Sequence, residues 1–517
     1  MEKELRIVSQ NFPGITRLYS AGRSVQSREL FVLEISDHPG VHEPGKPEVK
    51  LVANQHGNEV VGREMLLLLA KWLIQNYHSD PRAGHIVNNT RLHLMPSMNP
   101  DGYQMSSQKD GTDMVGRTNS HNKDLNRNFP DQYKTNDYNR QAEPETVAIM
   151  AWTQSLPFIL SANLHGGSLV ANYPFDDNAP GQAKGQPNPS PDDAVFKHLA
   201  NTFARKHPLM NQGAPCKLRS DENFTQGIVN GAAWYPVVGG MQDWNYVRAD
   251  CFELTIELGC QKFPPATELP KYWEENREAL LSYVEQAQIG VQGFVLDPSK
   301  NPIPGSYIKV DGIDHLTRVA RDGDYWRLLT AGQYYMTATA VGYDRATALV
   351  TVPEISLGQP GQITVNFTIS PERAYTWSHV HDFGLEESVR PQNYSNDAEL
   401  TAAMAELENK FPGMAELEAG VSDVSMLIHS LKVQKESGSP DEGKIRILFL
   451  GGMRASQPMG RELLMRLANH VITGASKKDP GMLSVLQRAT LLFAPGVDRS
   501  FHLVESKYQF YLLQSRC

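Results

Sequence analysis

Short apolar runs bounded by polar turns recur through the first part of the chain, at 30–35, 49–53, 90–95, 158–164 and 252–258. Runs of this length, rich in Val, Ile, Leu and Phe, read as buried strands. The intervening stretches 64–77, 144–155 and 192–207 carry the spacing of amphipathic helices. Such alternation predicts an α/β domain, a mixed β-sheet flanked by helices. Long polar segments at 99–122 and 173–191, rich in Gly and Pro, interrupt it. Loops that long in a compact domain tend to be functional.

The texture changes at Gly290. Short alternating runs follow at 293–296, 307–310, 325–329, 334–340, 346–352 and 363–369, separated by turn signals such as Asp322-Gly323 and Gly332. No helical period is present, so a small all-β sandwich is expected. Beyond it the chain repeats itself. Phe411-Pro412-Gly413 parallels Phe12-Pro13-Gly14, Gly460-Arg461-Glu462 parallels Gly62-Arg63-Glu64, and Pro495 parallels Pro96, at an offset of 398–399 residues. Repetition at so long a period means a duplicated domain rather than a solenoid. The second copy runs for about half a domain. The expected domains are therefore 1–289, 290–372 and a partial repeat over 373–517.

Length agrees with several domains, since 517 residues exceed one ordinary core. A net charge of −9 leaves no nucleic-acid footprint. No apolar run reaches the ~18 residues of a membrane span. The start, Met1-Glu2-Lys3-Glu4-Leu5, has no signal-peptide core, which taken literally describes a cytosolic chain. Asn-x-Ser/Thr sequons at Asn88, Asn223, Asn366 and Asn393 are close to chance. Cys216, Cys251 and Cys260 permit a disulfide without requiring one, and Cys517 stands apart.

Chemistry enters at Gln55-His56-Gly57-Asn58-Glu59, directly after an apolar strand. An imidazole and a carboxylate three residues apart at a strand end can reach one ion, although His-x-x-Glu alone recurs by chance. His165, after the apolar run ending at Leu164, is either a core histidine or a third ligand. His56, Glu59 and His165 together make the His₂Glu set of catalytic zinc. Glu257 is a carboxylate inside an apolar strand, either a partner to a buried Arg or the base that hydrolysis needs. Asp124-Leu125-Asn126-Arg127-Asn128 sets an Arg among amides, an arrangement suited to a carboxylate ligand. Arg117 lies ten residues earlier. The stretch 231–243, aromatic, Gly-rich and unlike a regular element, reads as a mobile loop over a site or as a structural turn with core aromatics.

Taken jointly, His-x-x-Glu, Asn-Pro-Asp-Gly at 99–102, Asp-Leu-Asn-Arg-Asn-Phe-Pro-Asp at 124–131, His165-Gly166-Gly167 and Thr-Ile-Glu-Leu-Gly-Cys at 255–260 resemble the M14 zinc carboxypeptidases. More narrowly, they resemble its N/E regulatory subgroup and the multi-domain members within it. The resemblance implies one Zn²⁺ per catalytic domain on His56, Glu59 and His165, with Asp124 orienting His56. It implies Glu257 as general base and acid, and Arg117 at the oxyanion. Asn126, Arg127 and Tyr235 would hold the substrate's terminal carboxylate. Asp176 would face a basic side chain, and Gln242 would line the same pocket. The implied activity is release of single C-terminal Arg or Lys residues from peptides and proteins, in prohormone or secretory peptide processing. The β-sandwich would be transthyretin-like, and Cys216 would pair with Cys260, leaving Cys251 free. Family members of this type enter the secretory pathway, Golgi or extracellular. Multi-domain members carry a C-terminal membrane helix, so this chain is expected to be a fragment or truncated product.

A carboxypeptidase-like module that has lost its zinc is the competing reading, and it is favoured for 373–517. Alignment on Gly460-Arg461-Glu462 puts Arg454 and Gln457 where His56 and Glu59 stand, and Val497-Asp498-Arg499-Ser500 where 99–102 stand. An enzyme trimming acidic residues would want a cation where Asp176 is.

Overall fold

The computed structural model describes residues 1–107, 114–133, 142–214, 216, 222–303, 305–354, 361–371, 395–421, 427–435, 444–452 and 459–496. Arg454, Gln457, 497–500, the Asn393 sequon and Cys517 lie outside the described residues. Two compact units are formed, one by 1–338 with 345–369 and one by 339–344 with 370–517.

The first unit is built on an eight-stranded sheet. Its strands are β1 (Thr16–Arg23), β2 (Glu29–Ile35), β3 (Glu48–Ala53), β4 (Arg91–Met95), β5 (Phe158–His165), β6 (Ser168–Tyr173), β7 (Ile228–Asn230) and β8 (Phe252–Gly259), in the order β1-β2-β4-β3-β5-β8-β6-β7. β4, β3, β5 and β8 run parallel, whereas β2 joins β4 and β6 joins β8 antiparallel. Every residue of β3, β5 and β8 is buried. Strands covered on both faces must satisfy any polar side chain inside the fold, so the polar residues that alternate with the apolar ones here need buried partners.

The helices are α1 (Glu2–Asn11), α2 (Val61–Asn76), α3 (Pro81–Asn89), α4 (Pro100–Met105), α5 (Pro144–Ser155), α6 (Asp193–Lys206), α7 (Gly231–Trp234), α8 (Met241–Ala249) and α9 (Leu269–Val284). Leu69 and Leu73 of α2, Phe196 and Phe203 of α6, and Leu280 of α9 pack with Val49 and Leu51 on one face of the sheet. Trp152 of α5 and Trp244 of α8 pack with Val52 on the other. β3 thus serves two cores through its alternating side chains. One polar line crosses this interior. Lys50, Ser161 and Glu253 are register partners on β3, β5 and β8, with Lys50 Nζ 3.0 Å from Ser161 Oγ and 3.2 Å from Glu253 Oε2.

From β3 the chain moves outward to β4, and from β5 it moves the other way, past β8 to β6. A crevice opens at the C-terminal strand ends where connections diverge. His56 and Glu59 follow β3, His165 ends β5, and Glu257 lies near the end of β8.

The stretch 231–243, expected as a mobile loop, departs from that expectation. It holds α7 and the buried first turn of α8, with Met241, Gln242 and Asp243 all buried. The segment 99–122 likewise begins with α4. Cys216 and Cys260 form a disulfide, and Cys251 is free and buried. No described helix is long and apolar enough to cross a membrane.

From Gly290 the chain forms β9 (Gly290–Leu296), β10 (Tyr307–Val310), β11 (Ile313–Arg318), β12 (Asp324–Arg327), β13 (Gly332–Thr339), β14 (Ala346–Val352), β15 (Gln362–Thr364) and β16 (Phe367–Thr368). One sheet runs β11-β10-β13-β14, and the other β12-β9-β15 with β16 also on β9. Arg327 and Asp192, both fully buried, tie this sandwich to the α/β domain at 2.7 Å. His42 does the same between Glu48 (2.7 Å) and Asp324 (3.1 Å).

The second unit repeats the first half of the α/β domain. β17 (Ala415–Val421), β18 (Leu427–Val433), β19 (Ile445–Leu450) and β20 (Ala489–Ala494) are ordered β17-β18-β20-β19, the order and orientations of β1-β2-β4-β3. The helices α10 (Asp397–Lys410), α11 (Met459–Ser476) and α12 (Pro480–Arg488) follow the sequence order of α1, α2 and α3. The offset visible in the sequence is thus an offset between equivalent elements.

Candidate active site

Three side chains converge at the crevice. His56, Glu59 and His165 each offer a ligand atom, and these atoms all lie within 4.8 Å of one another. His56 Nδ1 is 3.1 Å from Glu59 Oε1, and His165 Nδ1 is 2.8 Å from Glu59 Oε2. Each histidine uses its other nitrogen outward: His56 Nε2 meets Asp124 Oδ1 at 3.0 Å, and His165 Nε2 meets Gln55 Oε1 at 3.2 Å. Acceptors on both Nε2 atoms direct both Nδ1 lone pairs at one point, which is how histidine ligands are oriented toward a metal. Two imidazoles and a carboxylate suit zinc with an open position. All three residues are 3 % exposed. Burial pushes the Glu59 carboxyl up, but its contacts with His56 and His165 outweigh it and hold it well below the usual range.

The loop bearing His56 is shaped by residues that the sequence reading left without a role. Asn54 sits at φ +58°, a region asparagine tolerates better than most residues. Its Nδ2 donates to the carbonyls of His56 (3.0 Å), Gly57 (2.9 Å) and Glu59 (3.2 Å), and its Oδ1 accepts from Ser97 Oγ at 2.7 Å. Gly57 packs against α4 so closely that a Cβ there would come within 2.2 Å of the Gly102 and Tyr103 backbone. Asn163 Nδ2 donates to Gln55 Oε1 at 2.6 Å, fixing the acceptor that orients His165. A polar pair before His56 was the available signal.

Beside this cluster lies a cavity of about 290 Å³. His56, Glu59 and His165 line it together with Arg117 and Glu257. Glu257 is 7 % exposed, and its Oε2 has no hydrogen-bond partner among the described residues. Burial, reinforced by the Glu59 charge, pushes its carboxyl up to about 7, against the pull of His165, Lys262 and Arg117. The Arg117 guanidinium bridges Asp124 Oδ2 (3.0 Å) and Glu59 Oε1 (3.3 Å). Asp124 is not part of the lining and supports His56 and Arg117 from behind.

Asn126, Arg127, Tyr235 and Asp176 are also part of the lining. A short 3-10 turn, Leu125–Arg127, presents the first two, and Asn126 Oδ1 accepts the N–H of Met241 at 3.0 Å. Tyr235, 42 % exposed, follows α7 at the rim. Asp176 is 1 % exposed, and its Oδ1 accepts from Asn172 Nδ2 and Gln242 Nε2, both at 3.0 Å. Burial pushes its carboxyl up to about 6, against the Asn172 hydrogen bond and the Arg127 charge. Gln242, expected to line the pocket, does not. It is fully buried behind Asp176, with Nε2 on Asp176 and Oε1 accepting the N–H of Thr255 at 2.6 Å. Both ends of its amide are taken inside the fold.

This geometry agrees with the relatives the chain has. Residues 1–279 match the zinc carboxypeptidase family, and residues 290–370 match the carboxypeptidase regulatory-like domain. The chain is 45% identical to carboxypeptidase D of Drosophila melanogaster over 508 residues, covering 96% of this chain and 36% of that protein. To carboxypeptidase D of Homo sapiens it is 43% identical over 541 residues, covering 96% and 38%. Carboxypeptidase M of Mus musculus is 46% identical over 358 residues, covering 68% of this chain and 80% of that protein. The chain spans less than two fifths of the length of the carboxypeptidase D proteins it matches. With the family matched over more than half of its residues and the His/Glu cluster assembled at the strand ends, the chain belongs to the zinc carboxypeptidase family.

Proposed function

We propose that residues 1–289 form a zinc-dependent exopeptidase that releases single Arg or Lys residues from the C-termini of peptides and proteins. The observation that carries this reading is the shared cavity. Arg127 and the buried Asp176 line it together with Glu257 and the His56–Glu59–His165 cluster.

His56, Glu59 and His165 would hold the ion. Bound there, zinc would polarise the scissile carbonyl and acidify a water molecule. Glu257 takes the proton from the attacking water and returns it to the leaving amine. Arg117 stabilises the developing oxyanion. Arg127, with Asn126 and Tyr235, holds the terminal carboxylate, which an internal peptide bond does not offer. Asp176 then meets a cationic side chain, since a Lys or Arg leaving water needs a counter-charge. Asp124 positions His56.

Domains of 1–289, 290–372 and 373–517 go with this reading, the last as a non-catalytic module. A disulfide between Cys216 and Cys260 favours an oxidising compartment, and with it secretory peptide processing. The test is a panel of peptides ending in Lys, Arg, Glu and Phe, assayed with the zinc-loaded chain. Selective release of Lys and Arg is expected. Preferential release of Glu, or no hydrolysis with zinc bound, overturns the reading.

A further inference from the structure

Two neighbouring side chains in the first turn of α8 act on one residue in different ways. Gln242 donates to the Asp176 carboxylate. Asp243 takes the main chain instead: the Asp176 N–H lies 2.9 Å from Asp243 Oδ1 and 3.0 Å from Oδ2, and the Asp177 N–H lies 3.2 Å from Oδ2. On the other side, the Asp176 carbonyl accepts the N–H of Val237 at 2.9 Å. Both peptide groups flanking Asp176 are thereby fixed. Space is reserved as well, since a Cβ on Gly231 would fall 1.8 Å from Asp176 Oδ1.

The arrangement is costly, because two buried carboxylates close together disfavour each other's ionisation. Burial and the Asp176 charge push the Asp243 carboxyl well above the usual range. A neutral side chain would avoid that cost. It would not offer two acceptor oxygens to one N–H and a share to the next. The hydrogen bonds to the Asp176 carboxylate come from the neutral amides of Asn172 and Gln242, which orient it while leaving its charge in place.

We propose that Asp243 is a positioning residue for substrate selection, fixing the Asp176 backbone so that the carboxylate faces the cavity at a set angle. This rests on the reading of Asp176 as the partner of a basic side chain.

The experiment compares kcat/KM for C-terminal Arg and C-terminal Leu peptides in the zinc-loaded full chain, for wild type, Asp176→Asn, Asp243→Asn and Asp243→Glu. Asp243→Asn keeps the volume but sets an NH₂ against a backbone N–H. Its Arg-to-Leu ratio is expected to fall at least tenfold, through KM for the Arg peptide. Asp243→Glu keeps both oxygens and should give an intermediate ratio, and it carries the test should the Asn variant not fold. A ratio that stays at the wild-type value in whichever variant folds, or an equal loss on both peptides, makes Asp243 a loop stabiliser and overturns the inference. An unchanged ratio in Asp176→Asn overturns the specificity reading itself, a result distinct from failure at Asp243 alone.

Discussion

His165 and Glu257 face each other as the last register pair of the parallel strands β5 and β8. Residues paired across parallel strands project from the same face about 4.8 Å apart. The sheet therefore sets the separation between a ligand of the cluster and the carboxyl beside it. Glu257→Gln keeps the shape and removes the proton acceptor. Turnover is expected to drop by about 10²–10⁴-fold with zinc content and melting behaviour retained. Activity within tenfold of wild type would mean that another base operates.

The cluster itself is tested by metal content. His165→Ala removes one of three convergent ligands, and zinc per chain after dialysis is expected to fall from one to a small fraction. Because a metal bound only by the folded state raises stability, the wild-type protein should also melt at a lower temperature after chelation, and the variant should show little such shift. Stoichiometric zinc in the variant would remove His165 from the ligand set.

What could be read from the chain follows from where the interactions run. His165 and Glu257 were visible because each ends or breaks an apolar run, where a polar group is costly without a task, and His56 and Glu59 because their spacing after a strand joins the other motifs. The half-domain repeat was visible because Phe-Pro-Gly before the first strand and Gly-Arg-Glu in the first turn of the long helix occur twice at nearly one offset. The role of Asn54 was not, since its amide donates to backbone carbonyls, which leave no pattern in side chains. Gln242 was assigned the right neighbour but the wrong side of it. The polar first turn of α8 looks like a loop because its buried groups are satisfied by Asp176 and Thr255, far away in sequence. Helix periodicity is erased where polar residues face inward.

Acid sensitivity has an identifiable contributor away from the site. His207, at the end of α6, is fully buried, and its Nδ1 accepts the N–H groups of Leu209 (3.2 Å) and Met210 (3.1 Å). Burial pushes its imidazole from an ordinary 6.5 down to about 4. A depressed folded-state value means the unfolded chain binds the proton first. The stabilising contribution is thus complete above pH 6.5, is lost as pH falls, and is exhausted below about 4. The loss amounts to about 2 kcal/mol at pH 5. Because other groups titrate in the same window, the comparison is between proteins: in denaturant unfolding, wild type should lose about 2 kcal/mol more between pH 7 and pH 5 than His207→Asn, which keeps an acceptor but does not titrate there. Equal pH dependence in both proteins would assign the acid sensitivity to other groups.

Substrate choice separates Asp176 from Arg127. Every substrate of an exopeptidase presents a terminal carboxylate, so Arg127→Ala should depress C-terminal Arg, Lys and Leu peptides alike. Asp176 meets only a cationic side chain. A charge-assisted hydrogen bond is worth about 1.5–3 kcal/mol, which corresponds to roughly ten- to a hundredfold in kcat/KM. Asp176→Ala should therefore lower the Arg-to-Leu ratio at least tenfold. With both ends of the Gln242 amide held inside the fold, no second acceptor for a guanidinium comes from that residue, and Lys and Arg peptides should lose by similar factors. Gln242→Ala acts differently, by removing one of the two donors to Asp176 Oδ1 and the acceptor of the Thr255 N–H together, so its losses should include stability. If the Arg-to-Leu ratio survives Asp176→Ala, the buried carboxylate serves only its own loop, and any preference for basic residues must arise elsewhere in the cavity.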